Sequence, residues 1–193
     1  TDYEAFTSDP SARLEFSHDT LAFDTIISTV PSATRTLTVF NRNKKGVRIA
    51  SVSLAAGSSS HFRVNVDGEW LADGAGEDFK IYRKDTMIVR VEVTVPQVES
   101  TQVGTINDVL RFVMESGNVH EVVLQASAID AYMVHGMVID HDSTLLTDKP
   151  YLIYDSLYVA QGARLNLLPG TRLMFHDDAA VQIHGSVHAE GAL

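Results

Sequence analysis

The feature that most constrains the fold is a two-residue alternation of apolar and polar side chains through most of the first 130 residues. The clearest runs are 36–41, 47–54, 61–66, 87–95, 109–114 and 120–126. This period belongs to a β-strand with one buried face, whereas an amphipathic helix repeats its apolar positions every three or four residues. Clusters of Gly, Asn and Ser, which favour turns, separate the runs. The sequence therefore predicts an all-β protein.

The number and spacing of the runs over residues 13–131 predict a β-sandwich of immunoglobulin type, with residues 1–12 as an N-terminal tether. A slip in the alternation near Ala50 predicts a β-bulge. The Gly-rich stretch 67–76, which holds Trp70, is expected to be a loop. The side chains expected in the core share the apolar side of their strands; they are Phe40, Ile49, Val64, Val91, Phe112 and Leu124.

The pattern shortens after residue 131. Apolar anchors follow at steps of eight and then six residues; they are Leu157, Leu165, Leu173, Val181, Val187 and Leu193. Most are followed two residues later by a second apolar residue, and turns separate the pairs. Inward pairs joined by tight turns predict that residues 132–193 are the truncated start of a parallel β-solenoid. Because its last coil would be uncovered, we expect the natural protein to continue past Leu193 and this chain to self-associate or fray there.

Two resemblances follow from these patterns. The first region carries hydrophobic anchors at 14–16, 21–24, 36–41, 62, 91–93 and 123–128. In this arrangement it resembles the Ig-like domain of abnormal-spindle and major-sperm-protein type. Residues 154–175 and 185–191 resemble the opening coils of right-handed parallel β-helix proteins. The combination is similar to uncharacterised surface lipoproteins of Gram-negative gut bacteria. This implies an extracytoplasmic location, at the outer-membrane surface or in the periplasm, with a lipid anchor upstream of residue 1.

Composition excludes several classes of function. The formal net charge is −10 over 193 residues, which argues against a nucleic-acid partner because a basic face supplies most of that affinity. The absence of Cys excludes disulfides, thiol catalysis and Cys-ligated zinc. No apolar run approaches the roughly 20 residues of a membrane span. Glycans or cell-surface proteins are the expected partners.

Two clusters in the last third carry residue types that ligate zinc or manganese. They are His135, Asp140, His141 and Asp142, and His176, Asp177 and Asp178. The alternation places His184 and His188 toward solvent, opposite inward-facing Val181 and Ile183. We therefore expect these polar side chains to lie on a solvated face and in turns, and we predict no metal, no cofactor and no catalytic residues.

Two further sets of residues are candidate binding or modification sites. Trp70, Phe79 and Tyr82 would offer a platform for stacking on sugars, the alternative being a small core under a loop. Asp followed by Ser or Thr and then Leu, Ile, Met or Thr occurs five times, and this pattern resembles the O-glycosylation sequon of the same bacteria. The acceptors would be Thr20, Thr25, Thr86, Ser143 and Ser156. Alternatively, Asp-Thr and Asp-Ser simply form Asx turns that begin strands.

These observations predict a non-catalytic structural or adhesive module, with the Ig-like domain as spacer and the β-helix as a binding scaffold for glycans. The alternative is the N-terminal part of a polysaccharide-active β-helix lyase or glycoside hydrolase whose active site lies beyond residue 193. Such an enzyme needs paired carboxylates, for which Asp177 and Asp178 are the candidates here. The basic cluster Arg42, Lys44, Lys45 and Arg48 is expected to be a solvated hairpin tip.

Overall fold

A computed structural model describes residues 5–97 and 104–192 of the chain. Within these residues the regular structure is β-strand, apart from one 3-10 turn at Gly57–Ser59. The all-β class predicted from the alternation is confirmed. None of the helical structure described is long and apolar enough to cross a membrane. The described residues include two compact units, a sandwich unit of residues 5–96 and 104–128 and a parallel unit of residues 129–192.

Two sheets form the sandwich unit. The first contains β1 (Phe6–Thr7), β3 (Thr20–Ile27), β5 (Gly46–Leu54), β8 (Ala75–Ile81), β10 (Gly104–Met114) and β11 (Val119–Ile129). The second contains β2 (Glu15–Phe16), β4 (Arg35–Phe40), β6 (Phe62–Val66), β7 (Glu69–Trp70) and β9 (Thr86–Val93). Strands run in the order β1-β5-β10-β11-β3 in the first sheet, with β8 also paired to β5, and β2-β4-β9-β6-β7 in the second. The predicted sandwich is confirmed.

One apolar core joins the inner faces of the two sheets. The Phe112 ring of β10 packs edge-on against Phe16 of β2 with ring centroids 5.0 Å apart. Phe23 of β3 and Phe62 of β6 make a second contact between the sheets, at 5.7 Å. Five of the six side chains predicted for the core are buried; they are Ile49, Val64, Val91, Phe112 and Leu124.

The sixth prediction, Phe40, is wrong. Leu37 and Val39 of the same strand are fully buried, and alternate residues of a strand point to opposite faces. Phe40 is therefore half-buried on the outer face, where the Arg42 guanidinium lies 5.1 Å from its ring centroid.

The bulge predicted near Ala50 is confirmed. On β10, Val113 pairs with Ser51 and Met114 pairs with Ile49, so Ala50 has no partner in the ladder.

The stretch predicted as a loop, 67–76, instead contains β7 and the start of β8. Asp67 and Gly68 connect β6 to β7 with φ of 48° and 101°. Asp-Gly suits a tight hairpin whose two central residues both need positive φ. The hairpin brings Trp70 opposite Asn65.

The first residues described are paired to the sheet, whereas the sequence analysis placed them in a tether. Phe6 pairs with Gly46 and Thr7 with Val47 in parallel register, and the Arg48 guanidinium lies 4.4 Å from the Phe6 ring centroid. Asn118 Nδ2 also donates to the carbonyls of residues 10 and 12, at 2.9 and 3.0 Å. Residues 5–12 therefore belong to the sandwich unit, while residues 1–4 lie outside the described residues.

The parallel unit is built differently, from parallel strand pairs. One sheet contains β12 (Tyr132–Ile139), β14 (Tyr151–Val159), β16 (Leu173–Phe175) and β17 (Ala180–Ile183). The other contains β13 (Ser143–Thr144), β15 (Arg164–Leu167) and β18 (Ser186–Ala189). Ser143 pairs with Leu165, and Leu165 with Val187, so successive strands of the second sheet are 22 residues apart.

Apolar side chains stack in rows inside the parallel unit. Val159 and Leu165 are fully buried. Ile183 and Val187, which pair with them in register, are 51% and 39% exposed. Val181 continues the row of Leu157 in the same way. The rows thus become solvent-exposed at β17 and β18, and Leu193 lies outside the described residues.

A pair of phenylalanines tests the assignment of the two faces of the sandwich sheets. Phe112→Ala should lower the free energy of unfolding by about 3–5 kcal/mol because it leaves a cavity between the sheets. Phe40→Ala removes the same atoms from a half-buried outer position and should cost clearly less. Urea denaturation of both variants measures the difference. Equal losses would contradict the faces described.

His120 of β11 is a half-buried link between the two sheets. Its ring stacks on Phe16 of β2, with centroids 3.6 Å apart and planes 5° from parallel. Its buried Nε2 has no hydrogen-bond partner and lies 3.6 Å from Asp19 Oδ1. Burial lowers the pKa of His120 below its usual 6.5, and the Asp19 carboxylate offsets only part of this effect. The folded state therefore disfavours the protonated ring.

The sign of the pH dependence follows from that shift. Above about pH 6.5 the ring is neutral in both states, and the stabilising stack is fully present. As the pH falls toward the lowered pKa, the unfolded chain takes up the proton more readily, so stability declines. We expect His120→Phe to reduce the change of the urea unfolding midpoint between about pH 7 and pH 5. Substitution of the exposed His61 by Gln should leave that pH dependence unchanged. An unchanged slope in His120→Phe would contradict this origin.

Candidate functional site

Parallel pairing places a row of three rings on the outside of the parallel unit, with a half-buried tyrosine between two exposed histidines. His135 of β12 pairs in register with Tyr154 of β14. The His135 and Tyr154 ring centroids are 4.5 Å apart, and those of Tyr154 and His176 are 4.6 Å apart. We call these three residues the outer row. The spacing matches the distance between neighbouring strands, so one ring from each level of the stack contributes.

Carboxylates flank the two imidazoles of the outer row. His135 Nδ1 lies 3.8 Å from Asp155 Oδ2, and His176 Nδ1 lies 3.7 Å from Asp177 Oδ2. All four side chains are substantially exposed. Because the rings stack on one another, they turn their edges outward, where ring nitrogens, the Tyr154 hydroxyl and carboxylate oxygens can all hydrogen-bond. The row is therefore suited to a ligand rich in hydroxyl groups.

A column of left-handed backbone positions holds the outer row in place. Gly136, Asp155 and Asp177 immediately follow the three rings, with φ of 69°, 64° and 33°. Gly adopts this conformation without strain, and Asp is among the residues that tolerate it best. The chain turns here in the same way at three levels, which keeps the rings in line.

The outer row was not predicted from the sequence as a unit. His135 and His176 were predicted only as members of metal-ligand clusters, and Tyr154 was not a candidate site residue. The signal was the separation of the three rings by 19 and 22 residues, close to the 22-residue coil.

A second polar cluster closes the start of the parallel unit. Lys149 Nζ donates to the buried Asp130 carboxylate at 2.8 Å and lies 4.4 Å from the Tyr132 ring centroid. The Tyr132 hydroxyl donates to Asp148 at 2.9 Å. The hydrogen bond to Asp130 raises the pKa of Lys149, and the bond to Asp148 raises that of Tyr132. Both groups therefore keep their protons at neutral pH, which suits a structural clasp.

The candidate metal ligands do not come together. Among residues 5–97 and 104–192, no three His, Asp or Glu side chains are close enough to share an ion. His141 Nδ1 contacts Asp140 at 2.6 Å, and this hydrogen bond lowers the pKa of Asp140. Asp142 instead accepts from the Arg164 main-chain N–H at 2.9 Å. Asp177 and Asp178, the candidate carboxylates of an enzyme, lie exposed in a turn. His184, in the bend after β17, and His188, on β18, are also exposed.

The aromatic platform is also separated. Trp70 is 51% exposed and lies under the Arg63 guanidinium, 4.8 Å from its ring centroid. Tyr82 is 49% exposed and contacts Phe6 instead, at 5.8 Å. Phe79 packs against the sandwich core. In the part of the chain that the structure describes, no ring contact joins any two of the three.

The five candidate glycosylation acceptors lie on strands of both units. Thr20, Thr25 and Thr86 are exposed, whereas Ser143 and Ser156 are half-buried. Thr20, Thr86 and Ser143 are the first residues of their strands. That position agrees with the Asx-turn interpretation and leaves the exposed threonines accessible to modification.

The left-handed column yields a prediction at Asp155. Asp155→Gly should leave stability within about 0.5 kcal/mol of the unsubstituted protein, because the relief of strain and the greater freedom of the unfolded chain oppose each other. Asp155→Val should cost about 1–2 kcal/mol more than Asp155→Gly, since a β-branched residue is disfavoured at positive φ. Val at the exposed strand position Arg164 is the control. Thermal denaturation showing no penalty for Asp155→Val would contradict the column.

The chain is similar to several solved structures. No family model and no curated protein matches the sequence. One similar solved structure is a family 123 glycoside hydrolase from Clostridium perfringens, at 5% identity and a TM-score of 0.45, covering 66% of this chain and 30% of that one. The N-terminal domain of PorA is similar at 11% identity and a TM-score of 0.44, covering 60% of this chain and 97% of that one. An ASH/PapD-like domain of human CEP192 is similar at 15% identity and a TM-score of 0.38, covering 64% of this chain and 89% of that one. The chain thus corresponds to under a third of the hydrolase, and function has to be argued from its own residues.

Proposed function

We propose that this chain is a non-catalytic binding module of an exported protein of the outer-membrane surface or periplasm. The sandwich unit is a spacer, and the parallel unit is a right-handed β-helix that presents a binding surface to glycans. The extracytoplasmic location rests on the sequence resemblance. The observation that carries the scaffold role is the parallel stacking of the strands at nearly constant separations.

The stacking supports this proposal because equivalent side chains line up both in the core of the parallel unit and on its outer surface. Inside, each apolar row continues from level to level, as from Leu165 to Val187. Outside, the same register builds the outer row, whose rings are about one strand spacing apart. A surface that repeats at fixed intervals suits a ligand that also repeats, as a polysaccharide does.

The exposed end of the stack can pair with a further β-strand. Strands β16, β17 and β18 each pair on one side only among the described strands. Their unpaired N–H and C=O groups and the exposed Val181, Ile183 and Val187 favour the addition of another β-strand. In the isolated chain the strand available for this is that of a second molecule.

Light scattering of the isolated chain over a concentration series tests this end. We expect association that Val187→Asp reduces, because a charge would be buried in the contact. Since Val187 is already 39% exposed, the variant should remain folded. Val138→Asp, at a 62% exposed position on β12, is the control and should associate normally. A chain that stays monomeric, with β18 fully protected from hydrogen exchange, would contradict the open end.

Binding to an array of immobilised oligosaccharides tests the function itself. We expect the protein to bind a subset of glycans and the double variant His135→Ala/His176→Ala to bind them about tenfold more weakly, because it lacks two hydrogen-bonding side chains. His18→Ala/His61→Ala, on the sandwich unit, is the matched control. Release of new sugar ends from a polysaccharide would overturn the non-catalytic assignment, and equal binding by both double variants would overturn the outer row as the site.

A further inference from the structure

An open cleft of about 500 Å³ lies on the sandwich unit. Its walls come from the N-terminal residues 6–12 and from the connection 43–45 between β4 and β5. We call it the N-terminal cleft. Three of its lining side chains, Thr7, Ser8 and Ser11, carry hydroxyl groups, and two, Lys44 and Lys45, carry positive charge.

The two lysines are notable because the protein is acidic. Elsewhere in the same basic cluster, Arg42 pairs with Glu15 at 2.9 Å and Arg48 with Glu115 at 3.6 Å. Lys44 and Lys45 form no ion pair within residues 5–97 and 104–192. Two adjacent cations in a concave site lower the energy of an anion placed between them.

The acidic side chain of the cleft is already engaged. Asp9 Oδ1 accepts a hydrogen bond from the Ser11 main-chain N–H at 2.8 Å. That bond lowers the pKa of Asp9, with smaller contributions from Arg13 and Lys45. Asp9 thus holds the N-terminal wall in its turn.

A buried amide fixes the lysine wall. Asn41 is 1% exposed, and its Nδ2 donates to the carbonyls of Lys45, Ile81 and Tyr82 at 2.9–3.1 Å. Its Oδ1 accepts from the Asn43 main chain at 3.0 Å. One side chain therefore holds both the lysine connection and the backbone of Tyr82. A site held in this way loses less conformational freedom when a ligand binds.

Tyr82 adds an aromatic surface beside the cleft. Tyr82 is 49% exposed as a residue, and its ring lies 5.8 Å from that of Phe6, a lining residue of the cleft, between centroids. An acidic sugar has an apolar ring face, hydroxyl groups and a negative charge. The tyrosine ring, the cleft hydroxyls and the two lysines match these three features in turn.

We propose that the N-terminal cleft binds an acidic saccharide, with Lys44 and Lys45 contacting its carboxylate or sulfate and Tyr82 packing on its ring. This site shares with the proposed function only the ligand class. It lies on the sandwich unit and does not depend on the outer row.

Calorimetric titration of the intact chain at low ionic strength tests the proposal with three probes: a galacturonate trimer, a neutral galactose trimer and sodium sulfate. We expect the galacturonate trimer to bind at least about tenfold more tightly than either of the other two. Lys44→Gln/Lys45→Gln should weaken binding of the galacturonate trimer about tenfold or more. Tyr82→Ala should weaken binding of the trimer but not binding of sulfate. Lys80→Gln/Arg90→Gln removes the same total charge outside the cleft and should bind as the unsubstituted protein does.

Each contrary outcome is distinct. Equal losses in the two double variants would show a general charge effect and overturn the site. Sulfate binding as tightly as the galacturonate trimer would overturn the saccharide as ligand. Galacturonate binding that survives Lys44→Gln/Lys45→Gln but is lost in His135→Ala/His176→Ala would overturn the cleft while supporting the outer row. Galacturonate binding lost in the lysine variant but kept in His135→Ala/His176→Ala would support the cleft.

Discussion

Most of the strands described in this chain bury one side-chain face while pairing their main-chain N–H and C=O groups. The two units do this in different ways. In the sandwich unit two sheets turn their apolar faces toward each other, and Phe112 packs on Phe16 between them. In the parallel unit each level buries its face with the level before it, so Val159 is covered while Ile183 is exposed.

The difference has consequences for where each unit can bind. A two-sheet core is closed, so the sandwich unit offers its connections and edges, and the N-terminal cleft forms where residues 6–12 meet the connection 43–45. A stacked core has a uniform outer surface, so equivalent positions line up at every level. His135, Tyr154 and His176 are lined up for this reason, with a left-handed backbone position after each ring.

Much of the fold could be predicted from the order of apolar residues, because the alternation is local. The bulge at Ala50 and the burial of Ile49 and Leu124 follow directly from it. Phe40 shows the limit of the approach. It ends a run in which Leu37 and Val39 are already inward, so the alternation places its side chain on the opposite face. The hairpin at Trp70 was not predicted, because β7 has only two residues and so shows no alternation.

The sequence by itself determined the secondary structure class, the buried face of most strands and the change of pattern after residue 131, since each depends on neighbours a few positions apart. Only the tertiary structure decided which of the candidate site residues contact which partners. Tyr82 lies beside Phe6 rather than Trp70, and Asp142 bonds to the main chain of Arg164 rather than to a metal cluster. Contacts between residues far apart in the chain depend on strand register and order, and these are decided by packing across the whole sheet.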